Sequence, residues 1–408
     1  MKKIFAFAIA AVTMTVGCQK FQDILKPNNE PVDDGNPVEI KFSTNVSTVE
    51  VKGVGAVDTL KKSHDLYVYG IVKVDSTTTK NQIENAKANI TTEGVNPLTL
   101  TFADGKSFFY SGTKSVHSFY GYYVDDACGK NTTPAPDSTY KLAVTIDGTQ
   151  DILLGKANPS DDISGNGIVT NTDYVYSAWS ARNNVKPNLK FEHALTQYKF
   201  KVQNKGTKDL ALTAIAVTSK TKADLFVAGE KQGVDTASIG KNETKDVELK
   251  LDNAKKDLWT ADTVYTYEYA VNDTTFATDT VRGIKLPANA TTAYVEIKDA
   301  SVMTFAAQEN DVILYLKQDG MAYGVYRRIT IPLTQAKFKD SGNKFTGTKA
   351  GEAYNIEISI YSLEQVEINV SLSPWTNVDL TIDQDNLDGN KDAIDDGYED
   401  DDNWTPGA

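Results

Sequence analysis

Apolar and polar residues alternate with a period of two in one short segment after another, and this restricts the chain to β-structure more firmly than any other feature of it. The alternation runs through residues 38–42, 66–69, 198–202, 247–251, 264–269, 312–316, 356–361 and 366–372. Successive side chains of a strand point to opposite faces, so each segment offers one apolar face to a core and one polar face to water. Gly, Asn and Asp turn residues separate the segments, and the twenty tyrosines suit pleated surfaces. Only residues 80–90 read as helical. With no alternation of strands and helices, the expected class is all-β, built of antiparallel sandwiches.

The chain of 408 residues is long enough for two such cores. Its first residues read as an export signal: Met1-Lys2-Lys3 is basic, the apolar stretch after it is too short to span a bilayer, and Thr15-Val16-Gly17 places small residues before Cys18. That pattern is a lipobox, although Thr15 stands where Leu is usual. Residues 1–17 are therefore expected to be a lipoprotein signal peptide, with Cys18 the lipidated residue of the mature chain. Residues 18–37, with Pro27, Pro31 and Pro37 among Asn, Asp and Gly, read as a flexible tether. Polar residues and a proline at 182–187 suggest a break between an N-terminal domain, 38–185, and a C-terminal domain, 186–382. Residues 383–408 form an acidic tail.

Charge and cysteine content exclude several classes. The net charge is -13, and residues 383–402 carry ten carboxylates against Lys391, so the body is only mildly acidic. No basic stripe is present to neutralise phosphates, which argues against a nucleic-acid partner. Once Cys18 is acylated, Cys128 has no partner for a disulfide, and stability must come from burial. Cys128 reads as an incidental loop thiol, since no base or cation lies beside it in sequence.

Signs of catalysis are few. The three histidines, His64, His117 and His193, are at least fifty residues apart and form no metal-binding spacing. Gly53-Val54-Gly55 lacks the third glycine and the helix of a phosphate cradle, and no Gly-x-Ser-x-Gly elbow occurs. His193 reads as a structural imidazole, hydrogen-bonded at the domain junction. The expectation is no catalytic residue, no cofactor and no resident metal. Asn386, Asp388, Asp392 and Asp395 surround Gly389 somewhat as ligands surround a calcium loop, but Gln384 replaces the first Asp and no bidentate Glu closes it. The competing description is a solvated acidic extension.

Several segments, taken in order, resemble the fimbrillin family of type V pilus subunits. They are Ser118-Phe119-Tyr120-Gly121-Tyr122-Tyr123, Asp151-Ile152-Leu153-Leu154-Gly155, and Phe191-x-His193-Ala194-Leu195-x-x-Tyr198-x-Phe200-x-Val202. Near the end follow Phe345-x-Gly347, Gly351-x-x-Tyr354-Asn355-Ile356 and Ile368-x-Val370-x-Leu372-x-Pro374-Trp375. The likeness spans residues 38–375. It departs from the family pattern at Val124, where a proline is usual.

The resemblance implies two transthyretin-like Greek-key β-sandwich domains in tandem, carried to the outer membrane as a lipoprotein precursor. It further implies that a surface protease removes the tether and first strand, leaving a groove that the next subunit fills head to tail. Carried onto this sequence, the removable strand is residues 38–51, and the cut falls at Lys52, Lys61 or Lys62. The absence of arginine there counts against a protease strict for Arg. The donor strand is residues 377–382, with Val378, Leu380 and Ile382 as plugs; the same segment could equally be a last strand paired at home. The partners implied are copies of this chain or other pilin subunits, the outer membrane through lipid, and a host or bacterial surface ligand. Two other functions remain open. One is a monomeric surface lipoprotein holding glycan or host protein on aromatic residues such as Trp179, Trp259 and Trp404. The other is a pilus anchor that keeps its lipid.

Overall fold

The computed structural model describes residues 36–374 apart from 47–59, 62, 75–78, 92–97, 113–114, 126–127, 129–139, 252–263, 272–274, 292–293, 307–308, 319–320, 322–325, 337–344, 346 and 364. The first half contributes β1 (Phe42–Val46), β2 (Leu66–Lys73), β3 (Thr79–Ile90), β4 (Leu98–Phe102), β5 (His117–Val124), β6 (Lys141–Thr145), β7 (Ile152–Ala157) and β8 (Asn188–His193). Two short helices, α1 (Pro159–Asp162) and α2 (Ala178–Arg182), lie between β7 and β8. The second half contributes β9 (Thr196–Asn204), β10 (Leu210–Ser219), β11 (Lys222–Phe226), β12 (Gly233–Val234), β13 (Val247–Leu251), β14 (Val264–Ala270) and β15 (Phe276–Arg282). It ends with β16 (Ile284–Leu286), β17 (Val295–Thr304), β18 (Asp311–Gln318), β19 (Arg327–Pro332), β20 (Glu352–Ile360) and β21 (Val366–Pro374). The protein is all-β, as the alternation requires. No helix among the described residues is long and apolar enough to cross a membrane.

Seven strands of the first half close into a ring in the order β1-β4-β3-β2-β5-β7-β8. Alternate residues fill it, among them Phe42, Leu66, Val68, Ile83, Phe119, Leu153, Leu189 and Phe191. The second half is a sandwich. One sheet runs β17-β9-β20-β21 and the other β13-β10-β18-β19, with β16 also on β10. Their inner faces meet through residues such as Phe200, Ile215, Leu314, Ile356 and Val370. Most pairs are antiparallel, but β1 runs parallel to β8 and β9 parallel to β20. The hairpin β14–β15 stands apart and rests on the outer side of β10 through Tyr267 and Val281, which pack on Ala211.

Two expectations are corrected. Residues 80–90 are not helical; they belong to β3. Ile83, Ala86 and Ile90 give a spurious helical spacing because a bulge at Asn85, whose φ is 43°, shifts the strand's alternation by one residue. The carboxamide oxygen of Asn85 then accepts from the Tyr122 hydroxyl, which holds the bulge. The polar run at 182–187 does not mark the point where the chain changes sheets. Asn183 ends α2, its side-chain amide donating to the Trp179 carbonyl at 2.9 Å, and Val185 is buried. β8 lies beyond this run, yet it pairs with β7 and β1, so the chain leaves the ring at Ala194 and Leu195.

The halves also share structure. β6 pairs with β11 rather than with the ring, and β11 pairs with β12. A third apolar cluster joins Tyr67, Tyr69, Tyr122 and Ile152 of the first half to Leu195, Leu225 and Phe305 of the second. Backbone hydrogen bonds from Met303 to Gly148 and from Ile146 to Thr221, 2.9 and 2.8 Å, cross the same seam.

Candidate strand-exchange groove

The segment that closes the ring is the one the resemblance marks as removable. Along it Ile40, Phe42 and Thr44 are buried, Val38 packs against the same core, and Lys41 is exposed. The Phe42 ring stands edge-on to Phe119 at 4.9 Å and to Phe102 at 5.7 Å between centroids. Thr44 is wholly buried, and its hydroxyl donates to the Leu189 carbonyl at 2.8 Å. A buried threonine without such a partner would be costly, so this site is built for a side chain that can donate.

Backbone pairing fixes both sides of the segment. Phe42, Ser43 and Thr44 face Leu100, Thr99 and Leu98 of β4, while Ser43, Thr44, Asn45 and Val46 face Asn188, Leu189, Lys190 and Phe191 of β8. Upstream, Ile40 donates to the Phe108 carbonyl at 2.8 Å and Tyr110 to the Val38 carbonyl at 3.0 Å. Glu39 accepts from the Ser107 hydroxyl at 2.6 Å. Among the described residues β4 and β8 do not pair with each other, and β1 lies between them. Its departure would leave two rims of unpaired N–H and C=O groups over an apolar floor.

Three of the resembling segments, 118–123, 151–155 and the start of 191–202, meet beneath that floor. Phe191 of β8 lies across Gly155 of β7 and Gly121 of β5, which face each other in register. A Cβ on Gly121 would come within 2.7 Å of the Phe191 ring, and one on Gly155 within 2.9 Å. Next to them His193 donates or shares a proton through Nδ1 with the Asp151 carboxylate at 2.9 Å, and both groups are buried. The other Asp151 oxygen accepts from the Ile152 N–H at 2.8 Å. The pair ties β8 to the start of β7 at the junction of the halves, the structural role read for this imidazole.

His117 occupies the neighbouring core. Its ring stacks on Phe119, and Nδ1 reaches the carbonyls of Tyr176 at 3.0 Å and Ser115 at 3.1 Å. Burial holds its pKa below the ordinary imidazole value, against the raising effect of those two carbonyls. Cys128 is buried, and burial together with Asp125, Asp151 and Asp147 pushes its thiol well up, so it is no ready nucleophile. Trp179 is half-buried against the ring and meets Tyr174 edge-on at 6.5 Å between centroids.

Lys61 is exposed, yet its backbone is held. Its N–H donates to His64 Nδ1 at 3.2 Å, its carbonyl accepts from the His64 N–H at 3.0 Å, and Leu60 beside it is buried. Cys18, Lys52, Lys62, the plugs Val378, Leu380 and Ile382, Trp259, Trp404, and the calcium candidates Asn386, Asp388, Asp392 and Asp395 lie outside the described residues. Among the described residues no group of three or more His, Cys, Asp or Glu is placed to hold a metal. Sequence reading missed β8 as a groove rim and Thr44 as a polar subsite. The only signal for either was the place of Thr44 on the inward phase of the first strand.

No family model matches the chain, and no curated protein does. Among solved structures it is similar to a protein of Bacteroides uniformis ATCC 8492 provisionally assigned to cell adhesion, at 14% identity and a TM-score of 0.46, covering 85% of this chain and 100% of that one. It is also similar to a fimbrilin from Porphyromonas gingivalis W83, at 11% identity and a TM-score of 0.38, covering 85% and 99%. A third is the tip fimbrial protein Mfa3 from Porphyromonas gingivalis with C-terminal truncation, at 10% identity and a TM-score of 0.36, covering 82% and 99%.

Proposed function

We propose that this chain is a structural subunit of a cell-surface pilus, exported as an outer-membrane lipoprotein on Cys18 and polymerised by strand donation after proteolysis, in support of adhesion. The observation that carries the reading is the seating of residues 38–46. This one segment closes the ring, is bonded on both sides, and is followed by a connection with Lys52, Lys61 and Lys62. Cutting there would free the strand together with its lipid. A strand from the C-terminal end of another copy would then gain the rim hydrogen bonds and the apolar subsites. Such a contact is head to tail and does not close on itself, so it propagates as a filament. No step requires a cofactor or a catalytic residue of this chain.

Purified precursor treated with trypsin provides the test. A donating subunit loses its N-terminal segment and forms SDS-resistant ladders, and a variant lacking residues 377–408 forms none. Cleavage that merely shortens the chain would instead identify a monomeric binding lipoprotein. Retention of the lipidated segment in filaments would identify an anchor.

A further inference from the structure

The strand seated in the groove has a counterpart elsewhere in the same chain. Residues 38–44 read Val-Glu-Ile-Lys-Phe-Ser-Thr, and residues 378–384 read Val-Asp-Leu-Thr-Ile-Asp-Gln. Position by position, Val378 matches Val38, Leu380 matches Ile40, Ile382 matches Phe42, and Gln384 matches Thr44. Those four are the inward positions of the seated segment. Between them Asp379 matches Glu39, the acceptor for the Ser107 hydroxyl.

From this match we infer that the donated strand is held in one register, with Val378 in the Val38 site and Gln384 in the Thr44 site. The inference rests on the strand-donation reading above and adds the register and the residues that set it. Three features select this register over its neighbours. A one-residue slip turns every plug to the outside. A two-residue slip puts Ile382 in place of Thr44, where an apolar side chain leaves the buried Leu189 carbonyl without its donor. In the inferred register the Gln384 carboxamide supplies that donor.

The third feature is charge. Position 45 faces Lys190 of β8, and Lys190 faces Lys156 of β7 directly. Like charges placed opposite each other on a sheet repel. Both lysines are exposed, and both line a cleft of about 700 Å³ between the ring and the second half. The inferred register sets Asp385 opposite Lys190, where a carboxylate relieves the repulsion, and sets Leu387 level with Glu192. The two-residue slip also sets a carboxylate, that of Asp383, opposite Lys190, so the two registers differ at the next outward position: the slip brings Asp385 level with Glu192, carboxylate against carboxylate. The acidic run after Ile382 therefore acts as a register lock at the end of the groove.

Disulfide trapping tests the inference in the full-length chain, after trypsin has started assembly. Ser43 faces Thr99 across β1 and β4, and directly opposed positions of an antiparallel pair are close enough for a disulfide. Asp383→Cys with Thr99→Cys should trap the polymer under oxidation, whereas Thr381→Cys with Thr99→Cys should not. Trapping at 381 in place of 383, or at neither while ladders form, overturns the register. Wild-type ladders that survive deletion of residues 377–408 overturn the strand-donation reading itself. Two further variants guard against cysteine pairs that fold poorly. Ile382→Phe should strengthen the ladder, because the Phe42 site takes an aromatic ring; weaker ladders would place residue 382 in the Thr44 site. Lys190→Glu should slow assembly about two- to five-fold, the size expected of an exposed charge pair, and Asp385→Lys should restore it. Restoration by Asp383→Lys instead would count for the slipped register.

Discussion

On the strand-removal reading Phe42 belongs to the precursor alone, so it separates the stability of the precursor from that of the assembled subunit. It is 3% exposed and sits edge-on to two other rings. Burying such a side chain contributes roughly 1.5–3 kcal/mol, and each edge-on ring pair adds about 0.5–1.5 kcal/mol. With the cavity left behind, Phe42→Ala should destabilise the precursor by about 3–5 kcal/mol. Urea denaturation followed by tyrosine and tryptophan fluorescence reads this as a lower midpoint at unchanged slope. The same variant, once fully processed and freed of its N-terminal fragment, should assemble at the wild-type rate into equally resistant ladders. A precursor that loses less than about 1 kcal/mol would show that the first strand is not part of the cooperative ring. A processed variant that assembles differently from wild type would show that Phe42 stays in the mature subunit, and the strand-removal scheme would fail.

Gly121→Ala places a methyl group 2.7 Å from the Phe191 ring and should cost about 1–3 kcal/mol by overpacking, measured as a fall in Tm; an unchanged Tm would mean the ring has room to move. His117 predicts a pH effect. Its folded-state pKa is lowered, so between that value and the unfolded value of 6.5 the unfolded chain binds more protons, and stability falls as the pH drops below about 6.5. Each pH unit in that window costs up to about 1.4 kcal/mol. His117→Asn should flatten the slope, and an equal slope in both proteins would assign the effect to other groups.

Much of the secondary structure was legible in the sequence because the strand period is local. Alternation in residues 198–202 and 247–251 found parts of β9 and β13, where one face is buried and the other partly exposed, while 312–316 found part of β18, which has buried residues on both faces. The same rule failed at β3, where the bulge at Asn85 displaced Ala88 and Ile90 by one residue from the phase of Ile83. At 182–187 composition rather than alternation suggested a break, and there the Asn183 side chain is satisfied within a helix end. The inward phase of the first strand could be read in advance. What it faced could not.

The sequence by itself determined an all-β chain, the candidate export signal, the phases of strands without a bulge, and the segment 378–384 that repeats the pattern of the first strand. Only the tertiary structure decided which strands are neighbours. It brought β1 beside β8, with Thr44 bonded to a carbonyl 145 residues away, joined Asp151 to His193 across 42 residues, and set β6 against β11 of the other half. The reason is physical. Alternation records whether a residue faces apolar surroundings, and every strand edge offers the same N–H and C=O groups, so partner choice depends on how the remote side chains pack together.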